Sequence, residues 1–117
     1  MLSKKNRLSS KDFPVLFNKG KKVSNKDFFG RYFIEKSENT SSNIKISVVT
    51  SAKLSKKAVV RNRNRRVVYA SLRRIWPLIS GKLSNINLSL TPKRDLSVEK
   101  PNDLDVSLNE IISFIRL

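Results

Sequence analysis

Six arginines fall within residues 56–74, in the run KKAVVRNRNRRVVYASLRR, and their spacing decides how that segment can fold. Placed on a helix at 100° per residue, the small and apolar side chains cover an arc of roughly 140°. They are Val60, Val67, Val68, Ser71, Leu72 and Ile75. The opposite side carries Asn62, Arg65, Arg66, Tyr69 and Arg73. The pattern predicts a long helix over residues 57–76 that packs its apolar arc into a core and turns its cations outward.

The margins of this helix are less regular. Arg61 lies at one margin of the apolar arc, and Arg63 and Arg74 lie at the other. Asn64 interrupts the apolar side itself, and the sequence offers no reason for it. Proline ends the helix near residue 77, and a short continuation closed by Gly81 follows.

The cations of the chain are not balanced by nearby acids. Lys and Arg number 25 against nine Asp and Glu, a net charge of +16. No acidic residue occurs between Glu38 and Asp95, an interval that holds thirteen lysines and arginines, including Lys53, Lys56 and Lys57. Such a field favours a polyanionic partner, and the planar fork of arginine suits phosphate. We therefore expect nucleic acid as the partner, and no membrane, because the apolar face is needed for the core.

The composition excludes several kinds of catalytic site. The chain has no cysteine and no histidine, which removes thiol nucleophiles, His-dependent triads and HExxH zinc sites. Its carboxylates are scattered, so no paired-carboxylate site is predicted. The absence of cysteine agrees with a reducing compartment, and no signal peptide or membrane-length apolar run is evident. We expect a soluble cytoplasmic protein.

The first half of the chain predicts one helix and several strands. Residues 1–9 are expected to form a flexible basic arm. A short helix follows, capped at Ser9 or Ser10 or begun only at Pro14, and ended by Gly20. Residues 28–33 alternate as a strand, with an extra strand near residues 22–25. After a polar loop at residues 36–43, the segment 44–51 is predicted to pair as an antiparallel strand in a hairpin or small meander.

The second half completes an α+β fold. Residues 86–90 alternate as a half-buried strand ended by Pro92, and the last segment predicts a helix capped near Asn102 or Asp103. The order is α-β-β-(β)-α-β-α, a small mixed sheet packed with helices. With no repeat and no linker, one domain over residues 1–117 is expected.

Aromatic side chains are a second candidate for contact with nucleic acid. The strand that begins at Phe28 places aromatics on both of its faces. In a small domain most of them build the core, and we expect about two to form surface platforms on which unpaired bases stack. Trp76 and Tyr69 are interpreted as helix-packing residues, with Tyr69 the more exposed.

These residues together resemble a known family. The run KKAVVRNRNRRVVYASLR is similar to the signature of the bacterial ribonuclease P protein subunit, a basic helix opened by Ala-Val-x-Arg-Asn-Arg. NRLSSKDFPVLFNKG resembles the N-terminal segment of the family, and TSAKLSKKAVVRNR resembles its strand-to-helix junction. The later strand and acid-capped helix follow in the family order. The resemblance covers nearly the whole chain.

The resemblance implies a function and a set of site residues. In this family a catalytic RNA performs magnesium-dependent hydrolysis at the 5′ end of precursor tRNA, while the protein binds that RNA and grips the 5′ leader. Mg²⁺ is then held mainly by the RNA, no protein residue is catalytic or binds metal directly, and DNA is not expected as a partner. The RNA-binding residues carried over by position, or added from the same basic surface, are Lys53, Lys56, Lys57, Arg61, Asn62, Arg63, Arg65, Arg66 and Arg73. The leader-binding candidates are Phe13, Phe17, Phe28 and Tyr32.

The chain also departs from the family pattern. Arg31 stands where the family often has tyrosine, with Tyr32 adjacent, and there is an extra residue among Ser55, Lys56 and Lys57. Further departures are Ala52 for a usual lysine, Asn64 for a branched apolar residue and Tyr69 for a common arginine. The resemblance further implies a left-handed crossover between the parallel strands that flank the long helix, whereas such crossovers are almost always right-handed.

Two other functions fit parts of the sequence. A general basic RNA-binding protein of ribosomal type would share the size and charge, but the order of motifs argues against it. A nuclease acting alone through its carboxylates would need clustered acids or metal-ligand spacing, which the sequence lacks.

Overall fold

The computed structural model describes residues 6, 8, 12–34, 44–82 and 86–115. These residues form four helices and four strands. In chain order they are α1 (Asp12–Lys19), β1 (Lys21–Ser24), β2 (Phe28–Ile34), β3 (Ile44–Val48), α2 (Ala58–Arg74), α3 (Trp76–Lys82), β4 (Ile86–Pro92) and α4 (Pro101–Ser113). The predicted α+β class and element order are confirmed, including the extra strand as β1 and the short helical continuation as α3.

The strands form one mixed sheet in the order β1-β2-β4-β3. β1 and β2 make an antiparallel hairpin, and β2 is antiparallel to β4. β3 is parallel to β4, with Ile46 opposite Leu88. The prediction that β3 joins an antiparallel hairpin or meander is wrong, because β4 lies between β2 and β3. The connection from β3 to β4 passes through α2 and α3, and its left-handed sense stays a prediction.

β4 lies inside the sheet because both of its faces are covered. Ile86, Leu88 and Leu90 face the main core with no exposed surface. Asn87 and Ser89 point to the other face, and they are also buried. α1 packs on that face against β2 and β4. The sequence predicted a half-buried strand, since alternation reveals two faces but does not reveal a helix that covers the polar one.

The main core lies on one face of the sheet. The predicted apolar arc of α2 is confirmed there, with Val68 and Leu72 fully buried. α2 contacts α4, whose Leu108 and Ile111 belong to the same buried cluster. On the strands the core residues are Val23, Phe28, Tyr32, Ile44, Ile46, Val48, Ile86, Leu88 and Leu90. The described elements therefore form one domain around one core.

The helix ends follow backbone chemistry. α1 begins at Asp12, two residues before Pro14, and it ends where the Gly20 N–H donates to Leu16 O at 2.8 Å. A Cβ at residue 20 would lie 2.1 Å from that oxygen, so glycine is required there. α2 ends at Arg74 because Pro77 has no N–H with which to continue the ladder. Gly81 lies inside α3 and does not close it.

The cap expected for α4 is corrected. Lys100 is the N-cap, and Pro101 occupies the first helical position, where its fixed φ suits a helix and its missing N–H costs nothing. Asn102 and Asp103 therefore lie in the first turn rather than at the cap. Asp103 still places an acid at the positive end of the helix dipole.

Several predictions fall outside the described residues. They concern the caps Ser9 and Ser10, the loop at residues 36–43 and most of the predicted arm at residues 1–9. Within that arm Asn6 is described, and its side-chain amide donates to Ile44 O at 2.8 Å. Among the helices that the structure describes, none has the length and hydropathy needed to cross a membrane.

Candidate nucleic-acid interface

The outward side of α2 forms one wall of an open cleft beside β3. We call this the α2–β3 cleft; its volume is about 880 Å³. It is lined by Ser47, Val48, Asn62, Arg65, Arg66, Tyr69, Ala70 and Arg73. The structure thus brings together four of the predicted RNA-binding residues, since positions 62, 65, 66 and 73 share one helical face. No acidic side chain is among the lining residues, so the cleft is electropositive.

The arginines of the cleft differ in how they are held. The Arg65 guanidinium donates to Asn62 Oδ1, which orders both side chains on the helix surface. Arg66 and Arg73 are exposed, and neither pairs with an acid within the described residues. Their charge is therefore available to a ligand, and guanidinium groups suit phosphate oxygens in both charge and geometry.

The remaining arginines of α2 lie outside the cleft lining. Arg61 Nη1 donates to Ser55 O at 2.9 Å and fastens the segment before α2 to the helix. Arg63 is exposed, and its positive charge interacts with the carboxylate of Asp95. Arg74 is paired with Asp105, its Nη2 lying 3.0 Å from Oδ1. Arg61 and Arg63 thus lie outside the cleft lining, and contact of either with RNA stays a prediction.

The N-terminus of α2 adds positive potential to this surface. Its cap is Lys57, which makes no side-chain capping bond, and no acid occurs in the first turn. The positive end of the helix dipole is therefore uncompensated by the protein. Lys53 and Lys56 are exposed in the segment just before it. Helix N-termini with nearby lysines are well suited to phosphate groups.

Aromatic side chains and one arginine form a second surface, on the sheet face away from the main core. Phe13 and Phe17 of α1 stack with ring centroids 5.9 Å apart. The Arg31 guanidinium carbon lies 5.3 Å from the Phe17 ring centroid and 5.8 Å from that of Phe29. We call these four residues the aromatic surface. Phe17 is 52% exposed, so a large part of its ring can meet a ligand.

Ser47 of the α2–β3 cleft lies on the same sheet face as the aromatic surface, although α2 itself packs on the core face. The register places Arg31 opposite Ser89, and Ser89 opposite Ser47 of the α2–β3 cleft. Two strand spacings separate Arg31 from Ser47, about 10 Å. A short single strand can therefore reach from one surface to the other.

Two predicted leader-binding residues do not reach this face. Phe28 and Tyr32 lie on the core side of β2, at 0% and 5% exposure, so neither ring can stack on a ligand. Their selection as leader-binding residues is wrong for direct contact. The alternation of β2 was predicted correctly, and it leaves Phe29, Arg31 and Phe33 on the opposite face.

Other residues of the two surfaces were missed by the sequence reasoning. Arg31 was noted only as a departure, although its place between two exposed-face aromatics was already visible in the strand alternation. Tyr69 was interpreted as a packing residue; its hydroxyl does accept a hydrogen bond from Val48 N at 3.1 Å, and its ring also lines the cleft. Ser47 gave no signal, because its role depends on α2 lying beside β3.

Metal ligation by the protein finds no support in the described ranges. Across residues 12–34, 44–82 and 86–115, no group of three His, Cys, Asp or Glu side chains is placed to hold an ion. Two of the described acids form ion pairs with an arginine instead. Asp27 and Glu99 both pair with Arg94, and these hydrogen bonds raise the pKa of Arg94 above its ordinary value.

Comparisons with known proteins show the fold and the family of this chain. Among curated protein sequences, none matches it significantly. It is similar in structure to the RNase P protein from Thermotoga maritima, with a TM-score of 0.77 and 22% identity, over 95% of this chain and 98% of that one. It is also similar to the Staphylococcus aureus RNase P protein, with a TM-score of 0.69 and 18% identity, over 92% and 93% of the two chains. At these identities the likeness shows a shared fold. A family model described as Ribonuclease P matches residues 2–113, and the chain therefore belongs to the ribonuclease P family as a protein component.

Proposed function

We propose that this chain binds the catalytic RNA of ribonuclease P and the 5′ leader of precursor tRNA, and so assists magnesium-dependent endonucleolytic removal of the leader. Family membership makes it a protein subunit of an endoribonuclease. The observation that carries the finer proposal is the α2–β3 cleft, whose arginines have no acid among the lining residues. A cytoplasmic location is part of the proposal.

The basic residues supply the affinity for RNA. Arg66 and Arg73, with the lysines before α2, can each neutralise a phosphate and release condensed counterions. If about six phosphates of single-stranded character are engaged, the logarithm of the binding constant should fall with the logarithm of salt concentration with a slope of roughly −4. A much flatter dependence would contradict the role of this surface.

The aromatic surface supplies contact with the leader. Phe13 and Phe17 present stacked rings on which unpaired bases can lie, and stacking accepts any base. Because mature tRNA lacks the leader, a protein that holds it binds precursor more tightly than product. This preference is the protein's proposed contribution to substrate choice.

Mg²⁺ belongs to the RNA in this proposal. It supplies activation of water and stabilisation of charge at the scissile phosphate. The protein's own residues lower the electrostatic repulsion between RNA strands, which eases the binding of further cations by the RNA. The described part of the protein shows no acid cluster that fits direct ligation.

The test is cleavage of a precursor tRNA at low Mg²⁺, with the cognate catalytic RNA, with this protein, and with both. We expect cleavage to require the RNA and to rise strongly when the protein is added. RNA binding without any rise in cleavage would favour a general RNA-binding protein of ribosomal type. Cleavage by the protein alone would overturn the assignment of the chemistry to RNA.

A further inference from the structure

Arg31 is held in an unusual way for a side chain on an open sheet face. Its guanidinium lies against the rings of Phe17 and Phe29, one from α1 and the other from its own strand. Its Nη1 also donates to Phe17 O at 3.3 Å. Cation–π contact and this hydrogen bond restrain the guanidinium beside the Phe17 ring.

This ordering lowers the entropic cost for Arg31 to bind a ligand. A free arginine loses rotamer freedom when it binds, whereas a guanidinium already fixed by two rings loses little. No acid pairs with Arg31 within the described residues. Apart from the bond to Phe17 O, its N–H donors make no hydrogen bond to the described part of the protein. The group is therefore an oriented, donor-only edge with an unneutralised charge.

A donor-only edge selects among bases. Arginine pairs through two parallel N–H groups, so it matches two adjacent acceptors, as in O6 and N7 of guanine. Cytosine in a single strand also offers two adjacent acceptors, N3 and O2. Adenine and uracil place a donor beside an acceptor on these edges, and that donor would face an N–H of arginine. The half-exposed ring of Phe17 lies beside this edge and can stack the same base.

We propose that Arg31 determines the base preference of leader binding, selecting guanine or cytosine at the leader nucleotide that stacks on Phe17. The inference rests on the proposed function, because it requires the leader to reach the aromatic surface. A contact between Arg31 and a leader phosphate is the competing outcome, and it would carry no base preference.

The test uses the reconstituted holoenzyme and a pool of precursor tRNAs with randomised leaders, cleaved in competition. With the wild-type protein we expect guanine or cytosine to be enriched by about fivefold or more over adenine and uracil at one leader position. Arg31→Gln should reduce that enrichment below about twofold, because glutamine offers one donor and one acceptor. Lys22→Gln is the matched control: Lys22 is exposed and pairs with Arg31 across β1 and β2, and the substitution removes the same charge. It should leave the enrichment unchanged.

Each contrary result is distinguishable. Equal use of the four bases by the wild-type holoenzyme, or an enrichment that survives in Arg31→Gln, overturns the proposal. A uniform loss over all leaders in Arg31→Gln, with no base preference in the wild type, identifies a phosphate contact and also overturns it. The ratio of affinities for precursor and mature tRNA is measured alongside. If the protein does not raise that ratio, leader binding itself fails, whatever the base composition of the products.

Discussion

A buried asparagine joins α2 to the segment that follows β4. Asn64 has no exposed surface, and its amide donates to Val60 O at 2.9 Å and to Asp95 Oδ1 at 3.0 Å. Its Oδ1 accepts the Leu96 N–H at 2.6 Å. Ser97 donates to the same Asp95 carboxyl from its hydroxyl and its N–H and holds the pKa of that carboxyl below its ordinary value. The asparagine in the apolar arc is therefore the acceptor for an otherwise unpaired backbone N–H.

Asn64→Leu tests this role. Leucine is of similar size and suits the apolar arc, but it leaves the Leu96 N–H without its acceptor. We expect the free energy of unfolding to fall by about 1–3 kcal/mol, measured by urea titration with an unchanged m value. The control is Asn62→Leu on the exposed side of the same helix, expected to stay within about 0.5 kcal/mol of the wild type. Equal stability of Asn64→Leu and wild type would contradict the account.

Phe17 offers a test of leader stacking at a single side chain. Phe17→Ala removes the exposed ring next to Phe13 and Arg31. We expect affinity for precursor tRNA to fall by about 1–3 kcal/mol, the worth of one stacked base, with little change for mature tRNA. Phe114 is 47% exposed and follows α4, so Phe114→Ala removes a comparable ring elsewhere. Fluorescence titration of the holoenzyme with both tRNAs measures the difference; retained precursor affinity in Phe17→Ala would count against the aromatic surface.

Single residues also show which structural roles can be predicted from the sequence. Alternation correctly separated Phe28 and Tyr32 from Phe29 and Arg31, but it could not tell which face the core would cover. The partners of Asn64 lie more than 30 positions away, at Asp95 and Leu96. A pattern within one helix carries no information about such contacts. Residues whose function depends on their own element were therefore predictable, and those that depend on a distant partner were not.

At the scale of elements, local structure was again predictable and long-range contacts were not. The strands and helices were predicted from local periodicity, and each of them is present in the structure. Periodicity did not predict the pairing, since the sequence favours pairing of consecutive strands whereas β4 inserts between β2 and β3; the parallel pairing of β3 with β4 was implied only by the family resemblance. Burial distinguishes β4 from the other strands: it is apolar toward the main core and covered by α1 on its other face, which is typical of a central strand. The basic side of α2, in contrast, follows from its own sequence and was predicted residue by residue.

The α2–β3 cleft can be tested as a unit by removing two of its charges. In the double variant Arg66→Gln and Arg73→Gln, we expect weaker RNA binding and a salt slope reduced by about 1.4, or 0.7 for each lost phosphate contact. Neither arginine pairs with an acid among the described residues, so folding should be unaffected. Binding of the catalytic RNA is measured over a range of KCl concentrations.

The control for that variant keeps the net charge equal. Lys26→Gln with Lys100→Gln removes two exposed charges near α4, where Lys100 is the N-cap. If RNA senses only the overall field, both double variants lose affinity alike. If the cleft is the binding surface, only the α2 variant changes the slope.

For the whole molecule, the distribution of acids explains how a chain of net charge +16 stays folded while its cleft stays positive. Asp27 and Glu99 hold Arg94, and Asp105 holds Arg74 together with Ser71. These pairs lie around β4 and α4, away from the lining of the α2–β3 cleft. These three described acids thus make tertiary contacts, and the cations that line the cleft have no acid beside them among its lining residues.

This arrangement makes stability depend on pH in a defined direction. Burial raises the pKa of Asp105, but hydrogen bonds from Arg74 and Ser71 outweigh it, so the folded-state pKa lies below the ordinary value. A carboxyl of this kind stabilises the fold above its unfolded pKa, about 3.9, and the contribution disappears as pH falls through the lower folded value. We therefore expect the difference in unfolding free energy between wild type and Asp105→Asn to be constant from pH 7 to about 5 and to shrink below pH 4. Urea titrations at each pH measure this difference, and the comparison cancels the general repulsion that protonation adds to every variant.

Asp103→Asn, on the same helix, is the control. It should leave the acid-induced loss of stability in place, because the contacts of Asp105 remain. A stability difference between wild type and Asp105→Asn that persists at pH 2 would show that the ion pair of Asp105 is not the cause.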